Sequence, residues 1–230
     1  MRPDPWHLRK STAEHLQWFR NLLDLQRLTS AWQSLTASEL ASGISTKYPA
    51  HLHEGLWLLE RVLAHGNQPW HELLDGCLDD TAPDDFLTRL QDVICAKQGL
   101  VLRDCLKSHT LDVLLQAAEE CGRVCAVGRW KVLSPQSRED CRGLFAAFQD
   151  SPFSGYPRGD HFLVLRSTQD EIRVRLLRCP HQSPLVEVRE MAGQLCESHE
   201  RWSRGYLMAL NSQARLARGS GCELSLTLSR

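Results

Sequence analysis

The chain has 230 residues, enough for one large domain or two small ones that bury a core without covalent staples. Hydrophobic residues make up 42% and charged residues 24%, and 27 basic against 28 acidic side chains leave a net charge of -1. That balance excludes the strongly basic footprint of a nucleic-acid binder, and no apolar run approaches the roughly 20 residues that cross a bilayer.

The start, Met1 to Trp6, is polar and lacks the apolar stretch of a secretory signal. Nine cysteines, odd in number and irregularly spaced, do not make the framework of a small secreted scaffold. The expectation is a reduced, cytoplasmic protein whose cysteines are thiols or metal ligands.

Residues 1–100 read as a helical region. Ser11-Thr12-Ala13-Glu14 has the capping-box pattern, and Leu16, Phe19, Leu22, Leu23, Leu25 and Leu28 follow at helical spacing. A second helix is predicted from Leu52 to His65, closed by Gly66 and Pro69. The acidic turn Asp79 to Asp85, with Pro83 in the first helical turn, opens a third that runs to about Lys97.

Residues 101–230 form the second predicted region, an α+β domain. A helix from Val101 to Cys121 is followed by a strand-like segment, Arg129 to Leu133, and a helix from Ser137 to Gln149. Ser151 to Gly159 is dense in turn residues. His161–Arg166 and Glu171–Arg178 read as a half-buried hairpin, and Glu223–Leu228 as a last strand. Leu185, Val188, Ala192, Leu195, Cys196, His199, Trp202, Tyr206 and Leu210 share one face of a helix of about seven turns. The predicted fold class is α+β: a helical N-terminal half plus a small antiparallel sheet packed against a long C-terminal helix.

The chemistry concentrates in one stretch. Cys179-Pro180-His181 precedes, by fourteen residues, Cys196-Glu197-Ser198-His199, and Cys222 follows a Gly-Ser-Gly turn. Three readings stand. Cys179, His181, Cys196, His199 and Cys222 are candidate metal ligands, soft thiols and imidazoles that suit zinc and, less favoured, an iron–sulfur cluster. Alternatively Cys196 is a catalytic thiol, with His181 or His199 raising its thiolate character. In the plainest reading Cys196 is a small core hydrophobe beside a hydrogen-bonded His199.

The spacing resembles the Rieske motif, Cys-x-His followed later by Cys-x2-His, which implies two thiolates on one iron and two imidazoles on the other. Rieske ligands sit on β-loops, whereas Cys196 and His199 fall on a predicted helix.

A second resemblance covers roughly residues 105 to 228. A strand ending in Arg178-Cys179-Pro180-His181 leads to Leu195-Cys196 opening a long helix with Trp202 and Asn211. Leu216-Ala-Arg-Gly-Ser-Gly-Cys-Glu-Leu224 then follows. This pattern resembles the L-2-amino-thiazoline-4-carboxylic acid hydrolase family, and its ending is also similar to 4-vinyl-reductase-type ligand-binding domains. The resemblance implies a small-molecule hydrolase that opens a cyclic isothiourea at a C–N bond. A thiolate, or water activated by a metal, attacks the amidine-like carbon while His181 or His199 moves protons. Arg173, Arg175 or Arg178 holds the substrate carboxylate. The alternative from another class is a non-catalytic metal- or small-ligand-binding sensor.

Other features have plainer expectations. Cys121 and Cys125, one turn apart, suit packing at a helix end, and His51 and His53 suit solvent or cap positions. Trp6, Trp18, Trp32, Trp57 and Trp70 suit core positions or, on one face, a homo-oligomer surface. The sequence contains no phosphate-binding glycine motif, no Gly-x-Ser-x-Gly and no His-Glu-x-x-His.

Overall fold

The computed structural model describes residues 12–39, 48–64, 74, 78, 82–152, 162–177, 179, 181, 183–219 and 222–229. It is α+β, with helices α1 (Ala13–Glu39), α2 (Ala50–Ala64), α3 (Pro83–Lys107) and α4 (Leu111–Val132) leading the chain. Short helices α5 (Pro135–Arg138) and α6 (Cys141–Gln149) precede strands β1 (Phe162–Ser167) and β2 (Glu171–Leu176). Then come α7 (Val186–Glu190), α8 (Ala192–Leu210), β3 (Ala214–Arg218) and β4 (Glu223–Leu228). Among the described residues no helix is long and apolar enough to cross a membrane.

Thr12 caps α1. The His15 amide donates to Thr12 Oγ1 (3.3 Å) and the Thr12 amide donates to His15 Nδ1 (2.9 Å). The reciprocal bond thus falls one residue later than the expected box, with His15 in the role given to Glu14. His15 Nε2 then faces Asp84 Oδ1 at 3.2 Å and ties α1 to the first turn of α3.

The expected break near Lys97 does not occur. α3 runs unbroken from Pro83 to Lys107, so the division expected between residues 100 and 101 falls inside a helix. Gly99 serves packing instead. A Cβ there would collide with the Glu187 carbonyl of α7, so glycine lets the two backbones approach. The real stop is at Ser108–Thr110, where the Thr110 amide bonds the Cys105 carbonyl (2.9 Å) and the His109 amide bonds that of Leu106 (3.3 Å). This is a Schellman motif, with His109 at φ 58 where glycine is usual. His109→Gly is therefore expected to stabilise the fold by about 0.5–1 kcal/mol, read as a raised Tm.

The strand-like segment 129–133 is the end of α4. The helix continues through it, the Leu133 amide bonding the Arg129 carbonyl at 3.1 Å, and the exposed Trp130 lies under the Arg138 guanidinium. Cooperative extension of a long helix overrides the local β-preference of Trp and Val. The long helix expected from Leu185 is instead two, α7 and α8, parted at Met191.

The sheet is antiparallel throughout, in the order β1-β2-β4-β3. Strand β3 has no counterpart among the predicted elements, because Ala214–Arg218 is short and carries two arginines. Ile172, Val174, Leu216, Leu224 and Leu226 meet Phe145 and Phe148 of α6 and Leu207 of α8. The opposite face carries Arg173 and Arg175. One hydrophobic core takes residues from both halves of the chain, from Phe19 and Leu23 to Leu195 and Trp202.

α4 and α8 cross at unusually short range. A Cβ at Gly122 would strike the Trp202 carbonyl, and one at Gly205 the Glu119 carbonyl. This reciprocal glycine contact fixes the helix that carries Cys196 and His199.

Candidate metal centre

The site forms where β2 ends and α8 begins. Beyond Leu176 the chain leaves the sheet, and the segment bearing Cys179 and His181 lies near Cys95 of α3 and Cys196 of α8. Ser183 anchors it, accepting from the Leu185 amide (3.2 Å) and hydrogen-bonding Asp92 of α3. α8 supplies Cys196 and, one turn later, His199 on its inward face.

Among the described residues one group could hold a metal ion: Cys179, His181 and Cys196, whose ligand atoms all lie within 4.8 Å of one another. His181 is buried and the two cysteines are half-buried, so the group lies at the edge of the core. Two thiols and an imidazole are the donor chemistry that borderline-soft divalent ions favour.

The thiols are electrostatically unequal. Cys179 hydrogen-bonds Cys196, which pulls the Cys196 thiol down to about 7 with help from the Arg218 charge and against burial. The same bond pushes the Cys179 thiol up, and burial adds to that. Cys95 of α3, fully buried near Cys179, is pushed up to about 12 by burial and stays a neutral thiol.

His181 joins the thiols to the interior. Its Nδ1 lies 3.0 Å from Cys196 Sγ and its Nε2 lies 3.1 Å from His199 Nδ1. His199 Nε2 faces Gln98 Oε1 at 3.3 Å, Gln98 Nε2 donates to Thr29 Oγ1 at 3.1 Å, and Thr29 donates to the Leu25 carbonyl at 2.8 Å. Burial holds His199 well below the usual histidine range, with the nearby His181 and Arg218 charges acting the same way. His199 therefore stands behind His181 instead of beside the thiols.

The chain matches no protein-family model, no curated protein and no solved structure. The site's chemistry must be read from its own residues.

Cys222 lies outside the group of three. Its thiol accepts from Arg218 Nη2 at 3.6 Å, and its backbone is left-handed at φ 61. Arg218 also donates to the Cys196 carbonyl at 3.3 Å, which makes it the cation of the site. Of the arginines expected to bind a carboxylate, Arg173 pairs with Glu171 (3.0 Å) and Arg175 with Glu223 (3.1 Å) on the exposed face of the sheet. Arg178 lies outside the described residues, as do Trp6 and Trp70.

Cys121 and Cys125 face α1, Cys121 lying near the Trp32 indole and Cys125 near Asp24. His51 and His53 do not act together. His51 lies 3.4 Å from the buried Glu187, and His53 bonds the Tyr48 carbonyl at 2.9 Å.

Proposed function

We propose that this chain is a small-molecule hydrolase-like protein whose Cys179, His181 and Cys196 hold a metal, zinc being the ion the donor set suits best. The observation that carries the reading is the convergence of three metal-binding atoms within 4.8 Å, drawn from a loop and a helix. Three protein ligands are the number that catalytic zinc sites use while keeping one position open. When bound, a zinc ion supplies Lewis acidity and lowers the pKa of water toward neutrality.

The chain's own residues supply the rest. Cys179 and Cys196 provide negative charge, and His181 provides a neutral nitrogen held in place from behind by His199. Arg218, half-buried beside the thiols, is the group to receive a substrate carboxylate, the part first expected of Arg173, Arg175 or Arg178. The substrate class is the cyclic isothiourea carboxylate suggested by the resemblance of the C-terminal half. Water adds to the amidine-like carbon, the ring C–N bond breaks, and the departing nitrogen takes a proton.

One observation favours a second, metal-free reading. The Cys196 thiol lies at about 7 and 3.0 Å from His181 Nδ1, the arrangement of an activated nucleophile and its base. Cys196 then gives its proton to His181 and attacks the same carbon. The proton passes to the leaving nitrogen, and water releases the thiol.

Metal analysis of the purified protein, with ring opening of 2-aminothiazoline-4-carboxylate by wild type and Cys196→Ser, tests both readings. The expected result is about one zinc per chain with turnover in wild type, and in the folded variant no turnover and a Tm matching that of chelator-treated wild type. Zinc without turnover would leave a metal-binding sensor, and iron with acid-labile sulfide would support the Rieske-like alternative. Turnover without metal, lost in the variant, would favour the thiolate.

A further inference from the structure

The hydrogen-bond chain behind His181 has a direction, and its donors and acceptors fix where the imidazole protons sit. Thr29 directs its single hydroxyl proton to the Leu25 carbonyl, so toward Gln98 it accepts. That turns the Gln98 amide nitrogen to Thr29 and leaves the amide oxygen facing His199 Nε2. A carbonyl oxygen only accepts, so His199 Nε2 carries hydrogen. A neutral imidazole has one such proton, and His199 Nδ1 is therefore an acceptor. It faces His181 Nε2, which must carry hydrogen in turn. His181 Nδ1 is left with its lone pair, pointed at Cys196 Sγ.

We infer that Gln98, oriented by Thr29, is a positioning residue that sets the tautomers of His199 and His181 and so aims the His181 Nδ1 lone pair at Cys179 and Cys196. Both Gln98 and Thr29 are completely buried, on α3 and α1, and Gln98 reaches the group of three through His199 and His181. Reversing the tautomers would set two acceptors face to face at the Gln98 oxygen, where Gln98 is completely buried. A ligating histidine is commonly held in this way by a partner on its other nitrogen. The tautomers follow from the hydrogen bonds alone; their consequence for metal binding rests on the metal-centre reading.

Long-range proton–nitrogen correlation spectra of the imidazoles in the full, metal-free chain test this directly. Both His199 and His181 are expected to carry hydrogen on Nε2 with Nδ1 bare. Gln98→Met, close in volume but without the acceptor, is expected to lose that preference at His199. It is also expected to bind zinc ion, added alone, about 10–100-fold more weakly. Thr29→Val, close in volume, leaves Gln98 in place but removes the acceptor that orients it, and is expected to loosen the same preference at His199 and weaken zinc binding in the same direction, which packing by the Gln98 amide alone would not produce. Hydrogen on Nδ1 of His199 in wild type overturns the inference, as does a wild-type pattern in Gln98→Met. Should Gln98→Met fail to fold, the wild-type and Thr29→Val spectra still decide. Should the wild type bind no zinc, the metal-centre reading falls while the tautomer pattern is scored on its own.

Discussion

His181→Ala is expected to weaken zinc binding by more than about 100-fold, since loss of a partner one shell further out already costs about 10–100-fold. The geometry makes His181 the residue on which the group depends. It is the sole imidazole within reach of both Cys179 and Cys196 in the group of three. His199 cannot step forward to replace it, because His199 Nε2 is engaged by Gln98 and its burial fixes it in the core. Competition against a chromophoric chelator measures the affinity. Thermal unfolding gives a second reading, because a ligand present at a thousand times its Kd adds about 4 kcal/mol to the folded state, less whatever the unfolded thiols bind. For a chain of this size that is roughly 8–16 °C of Tm, removed by chelation in wild type and already missing in the variant. An alanine variant that keeps both its zinc affinity and its chelator-sensitive Tm would remove His181 from the ligand set.

The same substitution separates the two chemical readings. In the metal reading His181→Ala loses zinc and turnover together. In the metal-free reading it leaves Cys196 without the base 3.0 Å away, so turnover falls while metal content has nothing to report.

The sequence revealed the elements better than their joints. Strongly periodic stretches such as α2 and α8, and the alternating strands β2 and β4, were legible because burial on one face writes itself into the spacing. The α3–α4 turn was not, because its stop residue is His109 where the local rules look for glycine, and Gly99 carries packing in the middle of a helix. At the site, Cys179, His181 and Cys196 were marked by residue type and spacing, and the structure brings them together. Arg218 was missed because it reaches the thiols from β3, a strand too short and polar to be seen. Gln98 and Thr29 carried a faint signal that could have been used. Thr29 falls between Leu25 and Trp32, and Gln98 between Ile94 and Leu102, each a polar residue on an otherwise apolar stripe. Such residues are costly to bury unless paired, so each asks for a partner across the core. Which partner is set by tertiary structure, 69 residues apart in this case, and no local pattern encodes it.

Gly205→Ala is expected to destabilise the fold by about 2–3 kcal/mol, where the same change at an ordinary helix position would stabilise it by up to about 1 kcal/mol. The sign is decided by what a methyl group would meet. At Gly205 it meets the Glu119 carbonyl, and at Gly122 the Trp202 carbonyl, and backbone atoms cannot rotate aside as a side chain would. α4 and α8 must separate or turn, which strips dispersion contacts along their whole crossing. Gly128, also on α4, is the internal control. Nothing lies within 4 Å of a Cβ there, so Gly128→Ala should raise the Tm while Gly122→Ala lowers it. The effect should reach the site as well, because α8 carries Cys196 whereas Cys179 and His181 ride on the loop anchored to α3 by Ser183 and Asp92. Moving α8 alone pulls one thiol out of the group of three, so zinc affinity should fall in Gly205→Ala and stay unchanged in Gly128→Ala. Equal stability of Gly205→Ala and wild type would mean that the two helices do not cross at backbone contact.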